Sequence, residues 1–222
     1  MESLLYWPID RPAAVSIAQL STRDGQASSV GLRAEMKRAL ANDTHPEGPA
    51  YWKVEALAAI PGNILLFGIR EVGESYKQFS YSTRILALPY SLDDNGFRMT
   101  GPMEEVFDFR TDDVPESVAI SGLEYAPETE TLWLLTSFEN GDRAEDVGGY
   151  LWSLPTTGLP LIGSPKLLRL NDQTPLRFIN KSEGVIPMDK HHLLIVHDDD
   201  RRVGPALQRE LHQAVLQIVE IP

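Results

Sequence analysis

The residues best placed to do chemistry are two glutamates, an arginine, a serine and two aspartates. Glu55, Ser121 and Glu183 stand 66 and 62 residues apart, each near the start of a short apolar run. Arg70 closes the second apolar run after Glu55, and Asp198 and Asp199 close the one after Glu183. Antiparallel pairing places the start of a first strand beside the end of the second, so these groups share one end of their hairpins. Facing carboxylates can bind a hard cation such as Ca²⁺ or Mg²⁺. They can also do acid–base work if one pKa is raised. A structural reading competes with both: Glu55 and Glu183 accept bonds from neighbouring backbone N–H groups and tie one unit to the next. The expected ligand-binding set is Glu55, Arg70, Ser121 and Glu183. The expected metal set is Glu55, Glu183, Asp198 and Asp199, with Ca²⁺ the cofactor in view.

Other motifs are fragmentary. Asp198-Asp199-Asp200-Arg201-Arg202 is a dense charge cluster, read either as a solvated turn or as a metal loop. It lacks the EF-hand positions, with Gly at six and Glu at twelve. His191 and His192 fall in a hairpin turn, His197 ends a strand and His45 sits in a loop, with no His-Glu-x-x-His pattern. The sequence has neither a Gly-x-Ser-x-Gly elbow nor a Gly-x-x-x-x-Gly-Lys phosphate loop. Trp133, inside an apolar strand, reads as core, whereas Trp52 reads as a rim or interface residue.

Three similar segments must position the candidate groups. They are Val54–Arg70, Ile120–Phe138 and Ser182–Asp199. Each has a short apolar run, a turn with Pro, Gly or polar residues, and a second apolar run, which is hairpin chemistry. More strand-like sequence follows each: 82–91 and 97–110, then 150–154 and 166–170, then 214–221. The unit therefore has about four strands, the first two apolar on both faces and so buried on both sides. Four-stranded units in radial succession are propeller blades. The ordinary blade repeat is roughly 40–50 residues, so this spacing implies long loops. They are expected at 77–82, 139–149 and 201–208.

The expected fold is mainly β, propeller-like, with about three to four four-stranded blades and one N-terminal helix. Blades are expected at about 51–112, 113–175 and 176–222, after an atypical segment 1–50. Residues 4–9 and 15–20 read as strands. Residues 30–40 read as a helix, with Leu32, Met36 and Leu40 on one face and Ser28 or Ser29 as the N-cap. The helix reads as an insertion packed on the sheets, with a partner-binding role the alternative. Propellers close with four to eight blades. Either an N-terminal strand completes a compact four-bladed ring, or an incomplete ring closes as a homodimer by two-fold symmetry.

The starts Glu55-Ala56-Leu57, Ser121-Gly122-Leu123 and Glu183-Gly184-Val185, each followed by a Pro-marked or polar turn and an aliphatic strand, resemble bacterial esterase-like and phytase-like β-propellers. Leu65–Arg70 and Leu194–Asp199 resemble a related, functionally uncharacterised bacterial propeller family. The resemblance covers about residues 40–200 and implies a partial or shortened member. It implies a metal-dependent hydrolase with Ca²⁺ held by Glu55, Glu183 and Asp198 or Asp199. The residues alone imply a binding or scaffolding propeller for a small molecule, cation or protein. A propeller remnant without ancestral activity is a third possibility.

Composition narrows the classes. The chain has 222 residues, 42% hydrophobic and 23% charged, which is globular. Its net charge of −12 argues against a nucleic-acid binder, since phosphate backbones are repelled. With no cysteine there are no disulfides or thiolate sites. No apolar run approaches the roughly 20 residues of a membrane span, and no signal peptide is visible, so a cytoplasmic location is expected.

Overall fold

A computed structural model describes residues 4–18, 21–23, 26–141, 143–198, 210 and 213–221. Asp199, Asp200 and the expected loop at 201–208 lie outside these residues. The fold is mainly β and propeller-like, with antiparallel sheets in succession. The first sheet runs β5 (Tyr51–Ile60), β6 (Ile64–Ser75), β7 (Gln78–Asp93) and β8 (Gly96–Met99), with β9 (Glu104–Asp108) also pairing β7. The second runs β10 (Ala119–Ala126), β11 (Thr131–Glu139), β12 (Val147–Pro155) and β13 (Lys166–Leu167), with β14 (Arg177–Phe178) on β12. The third has β15 (Lys181–Pro187), β16 (His192–Asp198) and β17 (Leu216–Glu220). β10 packs beside both β5 and β15, so the first strands of the sheets lie together, as inner blade strands do.

Three apolar layers hold the stack. Between the first and second sheets, Ala56, Leu66 and Ile85 meet Leu132, Leu134 and Trp152. Between the second and third, Trp133, Leu135 and Leu151 meet Val185, Leu193 and Ile195. The third layer covers the outer face of the first sheet, where Phe67, Ile69 and Leu86 meet Leu32, Met36 and Leu40. Both faces of β6 and β11 are covered, as their continuous apolar sequences require. The tryptophan indole most deeply placed, Trp152, is buried and donates to Thr136 Oγ1 at 2.9 Å.

The N-terminal segment is a cap. β1 (Leu5–Tyr6) pairs β2 (Ser16–Ile17), and β3 (Ser21–Arg23) pairs β4 (Gln26–Ser28). They form separate two-stranded sheets, so among the described residues no N-terminal strand completes the third sheet. Helix α1 (Gly31–Ala39) buries Leu32 and Met36 against the first sheet. Its N-cap is Val30, without a side-chain cap bond, rather than Ser28 or Ser29. Ser29 Oγ instead donates to the Ala18 carbonyl at 2.6 Å, and Ser28 Oγ accepts from the Val30 N–H at 3.1 Å. Trp52 belongs to this layer: it is buried, with the Arg33 guanidinium 4.5 Å from its ring centre, and is not a rim residue. The expected loop at 77–82 is instead the start of β7, because β6 and β7 continue as a long hairpin to Ser75 and Gln78. The loop expected at 139–149 is shorter, since β12 begins at Val147. Among the described residues, no helix is long and apolar enough to cross a membrane.

The second and third sheets approach closely where β12 meets β15. A Cβ on Gly149 would lie 2.2 Å from Ser182 Oγ and 2.8 Å from the Thr136 carbonyl oxygen. Gly149→Ala is therefore expected to destabilise the protein by about 1–3 kcal/mol through overpacking. A urea unfolding midpoint checks it. Adding Ser182→Gly should recover part of the loss, and an unchanged midpoint in the single variant would contradict the close approach.

Candidate functional site

The expected positions Glu55, Ser121 and Glu183 share a structural cause. The strand register slips between Val54 and Ala56, between Ile120 and Gly122, and between Ser182 and Gly184. Each is a one-residue β-bulge, and the extra residue is the one singled out at the start of its unit. A bulge leaves its extra residue out of the ladder and re-aims its side chain. Because β5, β10 and β15 lie together, the bulges bring three side chains from different sheets into one region.

Arg70 is the centre of that region. Its side chain is 3% exposed, so its charge must be met inside the protein. Nε lies 3.3 Å from a Glu55 carboxylate oxygen and 3.9 Å from one of Glu71. NH1 crosses to the second sheet and donates to Ser137 Oγ at 2.6 Å. The guanidinium carbon lies 5.3 Å from the Tyr81 ring centre. Glu71 in turn accepts from Tyr51 Oη at 2.6 Å. Glu55 also pairs with Lys53.

The third sheet repeats the arrangement. Lys181 Nζ lies 3.2 Å from Glu183 and 2.9 Å from Asp198. Burial pushes the Glu183 carboxyl up to about 7; the Lys181 and Arg70 charges pull it down, while Glu55 pushes it further up. Burial opposes the Lys181 charge, but its bond to Asp198 and the charges of Glu183 and Asp198 outweigh that and raise its pKa. The Glu55 and Arg70 charges of the first sheet thus act on Glu183 of the third. Ser121, wholly buried, donates to the Ser182 carbonyl at 2.6 Å, which ties the second sheet to the third.

The structure thus brings together Glu55, Arg70, Ser121, Glu183 and Asp198; Asp199 lies outside the described residues. Sequence reasoning named Arg70 but missed the two lysines. Lys53-x-Glu55 and Lys181-x-Glu183 share one spacing, and that repeat was the available signal. Tyr51, Glu71, Tyr81 and Ser137 carry no comparable signature. Glu55 and Glu183 are tied by side-chain cations, where the structural reading had backbone N–H partners.

The donor set does not suit a hard divalent cation. The Lys181 ammonium sits within reach of both Glu183 and Asp198, and Lys53 and Arg70 hold Glu55. A Ca²⁺ there would face three fixed positive charges. Among the described residues no group of three or more His, Asp or Glu is arranged to hold a metal ion. The histidines have separate fates. His197 is buried, edge-on to Phe178 with ring centres 5.5 Å apart. Asp189 bonds the backbone N–H groups of His191 and His192. His45 Nε2 lies 3.5 Å from Glu74.

No protein-family model matches the chain, and no curated protein matches it. The esterase-like or phytase-like resemblance therefore gains no support from these comparisons. Among solved structures, the PQQ-bound form of aldose sugar dehydrogenase from Streptomyces coelicolor is similar at 17% identity and a TM-score of 0.36. The match covers 76% of this chain and 42% of that one. So weak a likeness carries no argument about activity or ligand, and the propeller-like description rests on the sheets themselves.

The Glu183 carboxyl sets a pH dependence. Its folded pKa of about 7 exceeds its ordinary 4.5. Between those values the folded state holds a proton that the unfolded state has lost. This group's contribution to stability therefore falls as pH rises from about 4.5 to about 7, and is level outside that window. The full effect is on the order of 3 kcal/mol. Glu183→Gln should flatten this slope, measured as thermal midpoint against pH for both proteins; parallel profiles would refute the assignment.

Proposed function

We propose that this protein is a binding or scaffolding module without hydrolytic activity, in which the charged first-strand ends tie the sheets together. One observation carries this reading: the groups able to do chemistry are engaged with each other across sheets. Arg70 of the first sheet reaches Ser137 of the second, and Ser121 of the second reaches the Ser182 carbonyl of the third. The Ser121 hydroxyl is wholly buried and directed at a carbonyl, which supports a tie rather than a nucleophile. Glu55 faces Lys53 and Arg70, and Glu183 faces Lys181.

The competing reading is a Ca²⁺-dependent hydrolase using the same carboxylates. Incubating the chain with p-nitrophenyl acetate and with phytate, in Ca²⁺ and in excess EDTA, separates the two. The expected result is no hydrolysis above the buffer rate and no change in thermal midpoint on chelation. Ca²⁺-dependent turnover that disappears in the Glu55→Gln/Glu183→Gln protein would overturn the scaffold reading. A second expectation concerns the tie itself. Arg70→Met removes one member of a buried ion pair and leaves Glu55 and Glu71 without their inner cation, so it should cost about 3–5 kcal/mol in denaturant unfolding. A loss under about 1 kcal/mol, the range of exposed ion pairs, would mean that Arg70 is no tie.

A further inference from the structure

The first two sheets each run through four strands, and among the described residues the third has three. β17 is its outer strand. Ile221 N–H donates to the His191 carbonyl at 2.8 Å, and His197 N–H donates to the Val215 carbonyl at 3.2 Å. With Leu193 opposite Val219 and Ile195 opposite Gln217, these bonds fix the alternation of the ladder. Residues 215, 217, 219 and 221 direct their backbone groups at β16. Leu216, Ile218 and Glu220 direct theirs away, at an edge that is unpaired among the described residues.

A groove of about 930 Å³ lies beside that edge. Gln217 to Ile221 form one wall. The other is the second-sheet surface carrying Trp133, Ser153 and Lys166, with Leu168 and Leu176. Ser153 and Lys166 pair across β12 and β13, so this surface is the outer part of the sheet whose inner part already packs on the third. The groove is therefore the space a fourth strand of the third sheet would fill.

Its charge selects the strand. In a chain of net charge −12, the groove is lined by Lys166, Arg169 and Lys190 against one carboxylate, Glu220. Arg169 is engaged with the Gln173 carbonyl at 3.0 Å and with Asp113 at 3.2 Å. Lys166 and Lys190 have no ion-pair partner among the described residues. The exposed Leu216 and Ile218 flank the edge and extend an apolar surface past it. Unpaired edges with apolar flanks are what added strands recognise.

We propose that β17 and this groove take an extended acidic peptide segment of another protein as a fourth strand. The main chain of the segment pairs with Leu216, Ile218 and Glu220, its apolar residues cover the half-buried Leu168 and Leu176, and its acidic side chains meet Lys166 and Lys190. This names the partner class for the scaffold reading and rests on it.

The probe is a fluorescein-labelled peptide, Glu-Val-Thr-Val-Thr-Val-Glu, followed by anisotropy against the purified chain. Its counterpart has Lys for both Glu. The acidic peptide is expected to bind at least about tenfold tighter than the basic one, a difference of about 1.4 kcal/mol. Ile218→Pro removes an edge N–H without touching the β16 ladder and should weaken binding about tenfold or more. Lys166→Glu/Lys190→Glu should do the same through charge alone, and remains informative if the proline variant fails to fold. Equal binding of both peptides, no saturable binding, or binding indifferent to the lysine reversal would overturn the proposal. A light-scattering mass near twice 24.8 kDa that Ile218→Pro halves would also overturn it, because a second copy would then hold the edge. None of these results bears on hydrolysis, so the scaffold reading stands or falls separately.

Discussion

A buried arginine imposes the strictest condition on this structure. Arg70 has no water to solvate it, and a guanidinium cannot shed its proton to escape the cost. The protein must bring acceptors to it from more than one sheet. Glu55 and Glu71 come from the first sheet and Ser137 from the second. The bulge at Glu55 makes this possible, because it takes the residue out of the ladder and frees its carboxylate to turn. The same device at Ser121 turns a hydroxyl toward the third sheet, and at Glu183 it turns a carboxylate toward Lys181. Three local irregularities thus act together as the polar join of three otherwise apolar sheets.

The legible and illegible parts of this arrangement divide along physical lines. Apolar runs on both faces announce buried strands, and β6, β11 and their hairpins are where the pattern puts them. Repeat spacing marks Glu55, Ser121 and Glu183 as equivalent because each unit reuses one bulge. The partners of those residues are another matter. Ser137 and Tyr81 meet Arg70 only after folding, at separations along the chain that no local pattern encodes. Lys181 and Lys53 were visible as a shared Lys-x-Glu spacing, but a lysine beside a glutamate is also the commonest surface arrangement. A metal reading of the carboxylates followed from counting acids without placing the cations among them. The β6–β7 hairpin hid for a different reason: its outer half, Gln78 to Tyr81, mixes polar and aromatic residues and is exposed or half-exposed, so it resembles loop sequence although each of these residues is paired with β6.

The two ends of the stack differ. The first sheet has its outer face covered by Leu32, Met36 and Leu40 of the N-terminal segment. That cover lets Phe67, Ile69 and Leu86 be apolar on a side that would otherwise face water. The third sheet has the same kind of central strand: Leu193 and Ile195 face inward and Leu194 and Val196 outward. Ile186, Leu216 and Ile218 continue that outward face and are about half exposed or more. An apolar face of this kind on a terminal sheet is a surface rather than a core.

The edge of β17, unpaired among the described residues, also explains why recognition there would depend on the groove. Its backbone groups are hydrated, so each hydrogen bond to an incoming strand gains only about 0.5–1.5 kcal/mol net. Leu216, Ile218 and Glu220 offer few such bonds, and ordering the backbone of the added strand costs about 1–2 kcal/mol per residue. Main-chain pairing alone is therefore unfavourable. The surplus must come from covering the half-buried Leu168 and Leu176, at about 25 cal/mol per Å² of apolar area, and from charge. The backbone sets where a strand can lie, and the floor and the lysines decide which strand it is.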